Sequence, residues 1–169
     1  VSIGHQYLCL HREYGLPRHK YPGSMALGFF SKLTSVGSVK HLALSFREMP
    51  PDYEHNIIVV PPLLRREVLE LAPSEGDYIH GYMLNSGFSK DVREWHSMHP
   101  QVPLRFFWDN WEAGKIHKVD DTLSFYLIDD KEFLHQMAGC RAYASTAGFE
   151  SVCEAMYLGR PIISYDAEV

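Results

Sequence analysis

Ser145-Thr146-Ala147-Gly148-Phe149-Glu150-Ser151-Val152-Cys153-Glu154 is the stretch of this chain with the clearest chemical capacity. Small, polar and glycine-containing residues open a helical pattern. The pattern closes at Gly159-Arg160-Pro161 and gives way to the β-branched pair Ile162-Ile163. Such a loop presents backbone N–H groups at a helix N-terminus, where an anion such as a diphosphate is favoured. Glu154 lies one turn beyond Glu150 on the same helix face. A carboxylate there can accept from both hydroxyls of a ribose, about 6 Å along the axis from the phosphates. The plain alternative is a helix cap, since Ser145, Thr146 and Gly148 are all ordinary cap residues. For Glu154 the alternative is a solvated helix carboxylate. Its neighbours Val152, Cys153, Ala155, Met156 and Leu158 make that helix largely buried, and glutamate is seldom buried without a partner.

Arg65 follows Pro61-Pro62 and carries the group that best matches phosphate oxygens, although a surface arginine would read the same way. Phe107, Trp108 and Asp109 fall at a strand end, where two roles are open to them. They can wall a nucleotide base or pack the core. His96 and His99, or His117 with Asp120-Asp121, are the only loose metal-ligand sets, and none has zinc-finger form. No metal site is expected. The 3 cysteines, Cys9, Cys140 and Cys153, have no paired spacing and read as buried thiols of a reducing compartment.

The elements that must position these residues follow from periodicity. Val1–Leu10 reads as a strand entering a loop, with His5 at the strand end. Tyr21–Val36 has helical spacing with Met25, Leu27, Phe29, Phe30 and Leu33 as its apolar set. Val39–Phe46 and Asn56–Val60 read as strands, the second buried, and Pro61-Pro62 marks a boundary. Beyond it, strands over Asp77–Leu84, Leu104–Trp108, Leu123–Leu127, Arg141–Ala144 and Ile162–Ser164 alternate with helices. Ser89 is expected to cap a helix through about His99, with Val92, Trp95 and Met98 on one side. Asp129 with Glu132 forms a capping-box-like start, and Gly139 closes that helix. Strands separated by helices imply a parallel sheet covered on both faces, with ligands beyond the carboxyl ends of the strands.

The 169 residues suit one ordinary domain. A net charge of −5 with scattered basic residues argues against a nucleic-acid footprint. No apolar run reaches the ~18 residues that span a bilayer.

The donor-like segment resembles the nucleotide-binding motif of glycosyltransferases with the two-domain B-type fold. These include the enzyme that adds N-acetylglucosamine in peptidoglycan-precursor synthesis. By spacing, Gly148, Glu154, Gly159 and Pro161 fall on the motif positions, with Arg160 in the variable place. Val59–Arg65, Phe106–Asp109 and Ser2–Leu8 are similar to stretches of one bacterial subgroup, so the likeness covers nearly the whole chain.

The resemblance implies a Rossmann-like parallel sheet flanked by helices. Residues 1–60 would be the end of an acceptor-side domain, and 61–169 a donor-binding domain truncated at its C-terminal end. It implies a fragment of a longer enzyme, inactive in isolation, that transfers sugar from a UDP-linked donor to an acceptor hydroxyl. Donor binding would fall to Thr146, Ala147, Gly148, Phe149, Glu150, Ser151 and Glu154, assisted by Arg65 and Trp108. Glu150 competes with a phosphate for the positive helix end, so its side chain must point aside or contact donor-sugar hydroxyls.

His5 is the general-base candidate, facing the cleft between the domains, although with 10 histidines in the chain a structural role is also open. Beyond the nucleotide sugar no cofactor is implied, because the helix end and basic groups neutralise the leaving diphosphate. The chain also lacks the Asp-x-Asp of metal-dependent relatives on the other fold. The implied acceptor is lipid-linked or a glycan, and the implied location is cytoplasmic, at the inner membrane face, with peripheral association through the missing domain. Two alternatives stay open: a nucleotide-sugar 2-epimerase on the same fold, and a non-catalytic nucleotide-binding fragment.

Overall fold

The computed structural model of the chain describes residues 1–14, 22–83, 86–146 and 148–164. Tyr21, Leu84 and Ala147, which figure in the sequence expectations, lie outside the described residues. The chain divides into two units, Val1–Leu63 and Leu64–Val169.

The first unit runs through β1 (Ser2–Gly4), a short 3-10 helix (His5–Leu10), α1 (Pro22–Thr34), β2 (His41–Leu44) and β3 (Ile57–Val60). The three strands pair in parallel in the order β1-β2-β3. Tyr7, Ala43 and Ile57 form its small core. Asp52 braces the turn into β3. Its carboxylate accepts from the backbone N–H of Arg12 and His55 and bonds the His55 ring at 2.8 Å. Burial pushes this carboxyl up, but those bonds outweigh it and hold the pKa down to about 2.

The expected helix is present, but its apolar set is not a core face. Met25, Leu27, Phe29, Phe30 and Leu33 are all exposed, while Ser31 is buried and donates to the Leu27 carbonyl. Periodicity identifies an apolar stripe, not what covers it.

The second unit opens with a single turn, α2 (Arg66–Leu69), followed by β4 (Ile79–Tyr82), α3 (Ser89–Met98) and β5 (Leu104–Trp108). It continues through β6 (Ile116–Lys118), β7 (Leu123–Leu127), α4 (Asp130–Gly139), β8 (Ala142–Ser145), α5 (Phe149–Tyr157) and β9 (Ile162–Ser164). The sheet order is β6-β7-β5-β4-β8-β9, parallel throughout except for β6, which pairs antiparallel with β7. Leaving out β6, the order steps outward from β4 in one direction and then restarts from β4 in the other. This is a doubly wound, Rossmann-like sheet whose strand order reverses between β4 and β8.

Alternation along β5 sends side chains to two cores. Phe107 joins Phe133, Leu134, Met137, Tyr143, Ala155 and Leu158 under α4 and α5. Phe106 and Trp108 join Met83, Leu123, Phe125 and Ala144, with Val92 of α3 packed against them. Helices before and after the reversal therefore cover opposite faces, as right-handed crossovers require.

Two expectations for this unit need correction. Ser89 is the first residue of α3 and not its cap. Phe88 holds the cap position and no side chain bonds the helix end. The buried side of α3 is also misplaced, because Trp95 and Met98 are exposed and His96 is the buried residue. His96 is held there by Asp120 at 3.0 Å and Thr122 at 3.3 Å, so a polar residue with partners displaces the apolar stripe. Cys140 and Cys153 are buried, and burial pushes both thiols up to about 11, while Cys9 is half-buried.

Candidate functional site

The carboxyl ends of β4 and β8 flank the reversal of strand order, and in such sheets the ligand crevice lies outside those ends. β8 ends at Ser145, and Gly148 is the N-cap of α5, which begins at Phe149. The sequence fits each step. β8 is a short buried run, with Tyr143, Ala144 and Ser145 all buried. Gly148 takes the N-cap position with extended backbone, and α5 follows with Cys153, Glu154 and Ala155 on its buried side. Gly159 ends the helix with φ of +68°, a left-handed conformation that glycine adopts freely. Arg160 then clamps the exit, donating to the carbonyls of Ser74 at 3.0 Å and Cys140 at 2.8 Å.

Gly148, at the N-cap of α5, has no side chain with which to bond the helix end. At α4 the same job is done by Asp129, whose carboxylate accepts from the Glu132 N–H at 2.9 Å. Gly148 has an ordinary φ of −60°, and a Cβ there would meet only the Ser151 hydroxyl at 3.6 Å. Its φ does not demand glycine, but the N-cap position favours it. Ser151 turns its hydroxyl back to the Gly148 carbonyl at 3.2 Å. Phe149 is half-buried and Glu150 is exposed.

Glu154 lies further along α5, on its buried side. It is buried, with a side chain 3 % exposed, and Arg65 grips it in a fork. Arg65 Nε donates to Oε1 at 2.6 Å and Nη2 to Oε2 at 2.7 Å. Two parallel charge-assisted bonds of this length form a strong, geometrically specific pair. They hold the guanidinium even further up its range. Arg65 is 38 % exposed, and its Nη1 reaches the exposed Asp130 at 3.4 Å. Sequence reasoning singled out both residues but not their pairing, because 89 positions separate them.

Trp108 is packed in the core, 4 % exposed, with its ring stacked on Phe125 at 4.4 Å. The packing role is therefore filled, and its indole N–H has no protein partner among the described residues. His5 lies immediately after β1, exposed, in the first unit. The loose metal sets are taken up otherwise. His96 bonds Asp120, His117 bonds Arg93 at 3.1 Å, and His99 stacks on Trp95. Among the described residues no cluster of three or more His, Cys, Asp or Glu could hold a metal ion. No helix among them is long and apolar enough to cross a membrane.

Sequence reasoning missed His80. It sits within β4, fully buried against Phe107, Phe133 and Tyr143, and neither ring nitrogen has a protein partner. Burial, with Arg105 nearby, pushes its pKa down to about 3. The available signal was its place between Tyr78 and Tyr82 on one side of a strand.

Residues 13–167 match the family described as glycosyl transferase family 1. No curated protein matches the chain, and no solved structure does.

Proposed function

We propose that this chain, which belongs to glycosyl transferase family 1, binds a nucleoside diphosphate sugar beside the β4–β8 reversal and presents it for transfer to an acceptor hydroxyl. The observation that carries the reading is the start of α5. A helix start follows β8 at the strand-order reversal, with a glycine at the cap position and a buried carboxylate further along the same helix.

In this reading the diphosphate lies at Thr146, Gly148, Phe149 and Ser151, where the helix dipole and N–H groups favour negative charge. Glu154 accepts from the ribose hydroxyls, and exposed Glu150 turns toward hydroxyls of the sugar. The acceptor oxygen attacks the anomeric carbon while the bond from that carbon to the diphosphate breaks. The departing diphosphate gains charge at the helix end and at Arg65, where preorganised donors act most strongly. A general base takes the proton of the attacking hydroxyl, and His5 is the residue that the resemblance offers for that role.

The finer assignments rest on the likeness to the bacterial peptidoglycan-precursor group. They are a UDP-linked hexose donor, inversion at the anomeric carbon, and a lipid-linked or glycan acceptor at the cytoplasmic face of a membrane. Calorimetric titration of UDP, GDP, CDP and ADP into the chain tests the reading. Saturable binding with UDP preferred is expected. Failure of all four to bind the folded chain would end it.

A further inference from the structure

Glu154 is closed in this structure. Both carboxylate oxygens are engaged by the Arg65 fork, and only 3 % of the side chain is exposed. A ribose diol cannot reach that carboxylate while the guanidinium covers it. The guanidinium itself has somewhere to go. Arg65 is 38 % exposed on a flexible stem, and two of its five N–H donors are committed to Glu154. Moving it away without replacement would leave a buried, uncompensated carboxylate, which is strongly unfavourable.

We propose that Arg65 determines the specificity of this site by partner exchange. It occupies Glu154 when the site is empty and passes to the diphosphate when a ribose diol takes the carboxylate. This rests on the donor-site reading above and adds a selection rule to it. A nucleoside alone must strip Arg65 from its anion and gives it none in return. A diphosphate alone must draw Arg65 away and leaves Glu154 buried without hydrogen-bond donors. Only a ligand carrying both groups replaces both halves of the pair, so the site selects whole nucleoside diphosphates over their parts.

The test is titration of pyrophosphate and of UDP into the wild-type chain, Glu154→Gln and Arg65→Met/Glu154→Gln. Glutamine keeps the shape of Glu154 and avoids leaving a buried charge. Glu154→Gln frees Arg65, so pyrophosphate should bind roughly tenfold tighter than to wild type, while UDP binds more weakly. The opposite signs are the signature of exchange. In the double variant the pyrophosphate gain should vanish, because the freed guanidinium is gone. An unchanged or weaker pyrophosphate affinity in Glu154→Gln overturns the proposal. So does a gain that survives in the double variant, which would reflect only the removal of a nearby negative charge. If UDP fails to bind wild type, or binds Glu154→Gln equally well, the donor-site reading itself has failed, whatever pyrophosphate does.

Discussion

Removing the Arg65 side chain should destabilise the second unit far more than loss of a surface ion pair would. Arg65→Met deprives Glu154, whose side chain is 3 % exposed in the native chain, of its two short bonds of 2.6 and 2.7 Å. Breaking a buried pair by deleting one partner typically costs about 3–5 kcal/mol, because the remaining charge is stranded. Arg65 is 38 % exposed, so solvent already screens part of the pair and the cost falls at or just below the lower end of that range. We expect a loss of about 2–3 kcal/mol at pH 7.5.

Replacing Glu154 with glutamine in the same chain removes the stranded charge, so the double variant should recover most of that loss. Urea denaturation followed by tryptophan fluorescence is the assay. All 3 tryptophans, Trp95, Trp108 and Trp111, lie in the second unit, so the signal reports on that unit alone. A cost below about 0.5 kcal/mol for Arg65→Met would place the pair among ordinary surface ion pairs and refute the reasoning.

Three further outcomes follow from the same structure. His80 has a folded pKa of about 3 because of its burial. The unfolded chain takes up a proton below about pH 6.5 that the fold refuses, so stability falls as pH drops from about 6.5 toward 3, by about 1.4 kcal/mol per unit. His80→Leu should gain about 2 kcal/mol relative to wild type between pH 7.5 and pH 5.0 in urea titrations. An equal difference at both pH values would mean the ring is not held neutral. Gly159→Ala should cost about 1 kcal/mol of stability because its φ is +68°, whereas Gly148→Ala, at φ −60° with the Ser151 hydroxyl at 3.6 Å, should cost about 1 kcal/mol at most, as an N-cap position does, and in addition weaken nucleotide binding. Thermal unfolding and UDP titration of both variants check this contrast. Asp52 is depressed to about 2 by its hydrogen bonds, so the stability it lends is intact above about pH 4 and lost as pH falls toward 2. Its carboxyl carbon should titrate in NMR with a midpoint near 2, and a midpoint near 4 would contradict the bonding.

Much of the fold was legible because local signals and tertiary demands agreed. Leu104–Trp108 and Leu123–Leu127 are strands with the bounds their apolar runs suggest, and Asp129 caps α4 through Glu132 as the spacing implies. β6 escaped notice because Ile116–Lys118 is three residues long and shows no periodicity of its own; it exists by pairing with β7. α3 misled because an apolar stripe at Val92, Trp95 and Met98 competes with a buried polar group, and the His96–Asp120 bond is invisible in sequence order. The α5 loop was legible as a helix start with glycine. The fork that joins Arg65 to Glu154 is a matter of geometry that the sequence order hides.

The central claim is that Glu154 reads a ribose in a donor site at the start of α5. Its most direct test compares UDP with 2′-deoxy-UDP, by calorimetry, in wild type and Glu154→Gln. The account predicts that wild type prefers UDP by roughly tenfold, the worth of one hydroxyl bonded to a charged acceptor. It also predicts that Glu154→Gln loses most of that preference. Equal affinities for the two nucleotides in wild type, or a preference that persists in Glu154→Gln, would show that the carboxylate does not read the ribose.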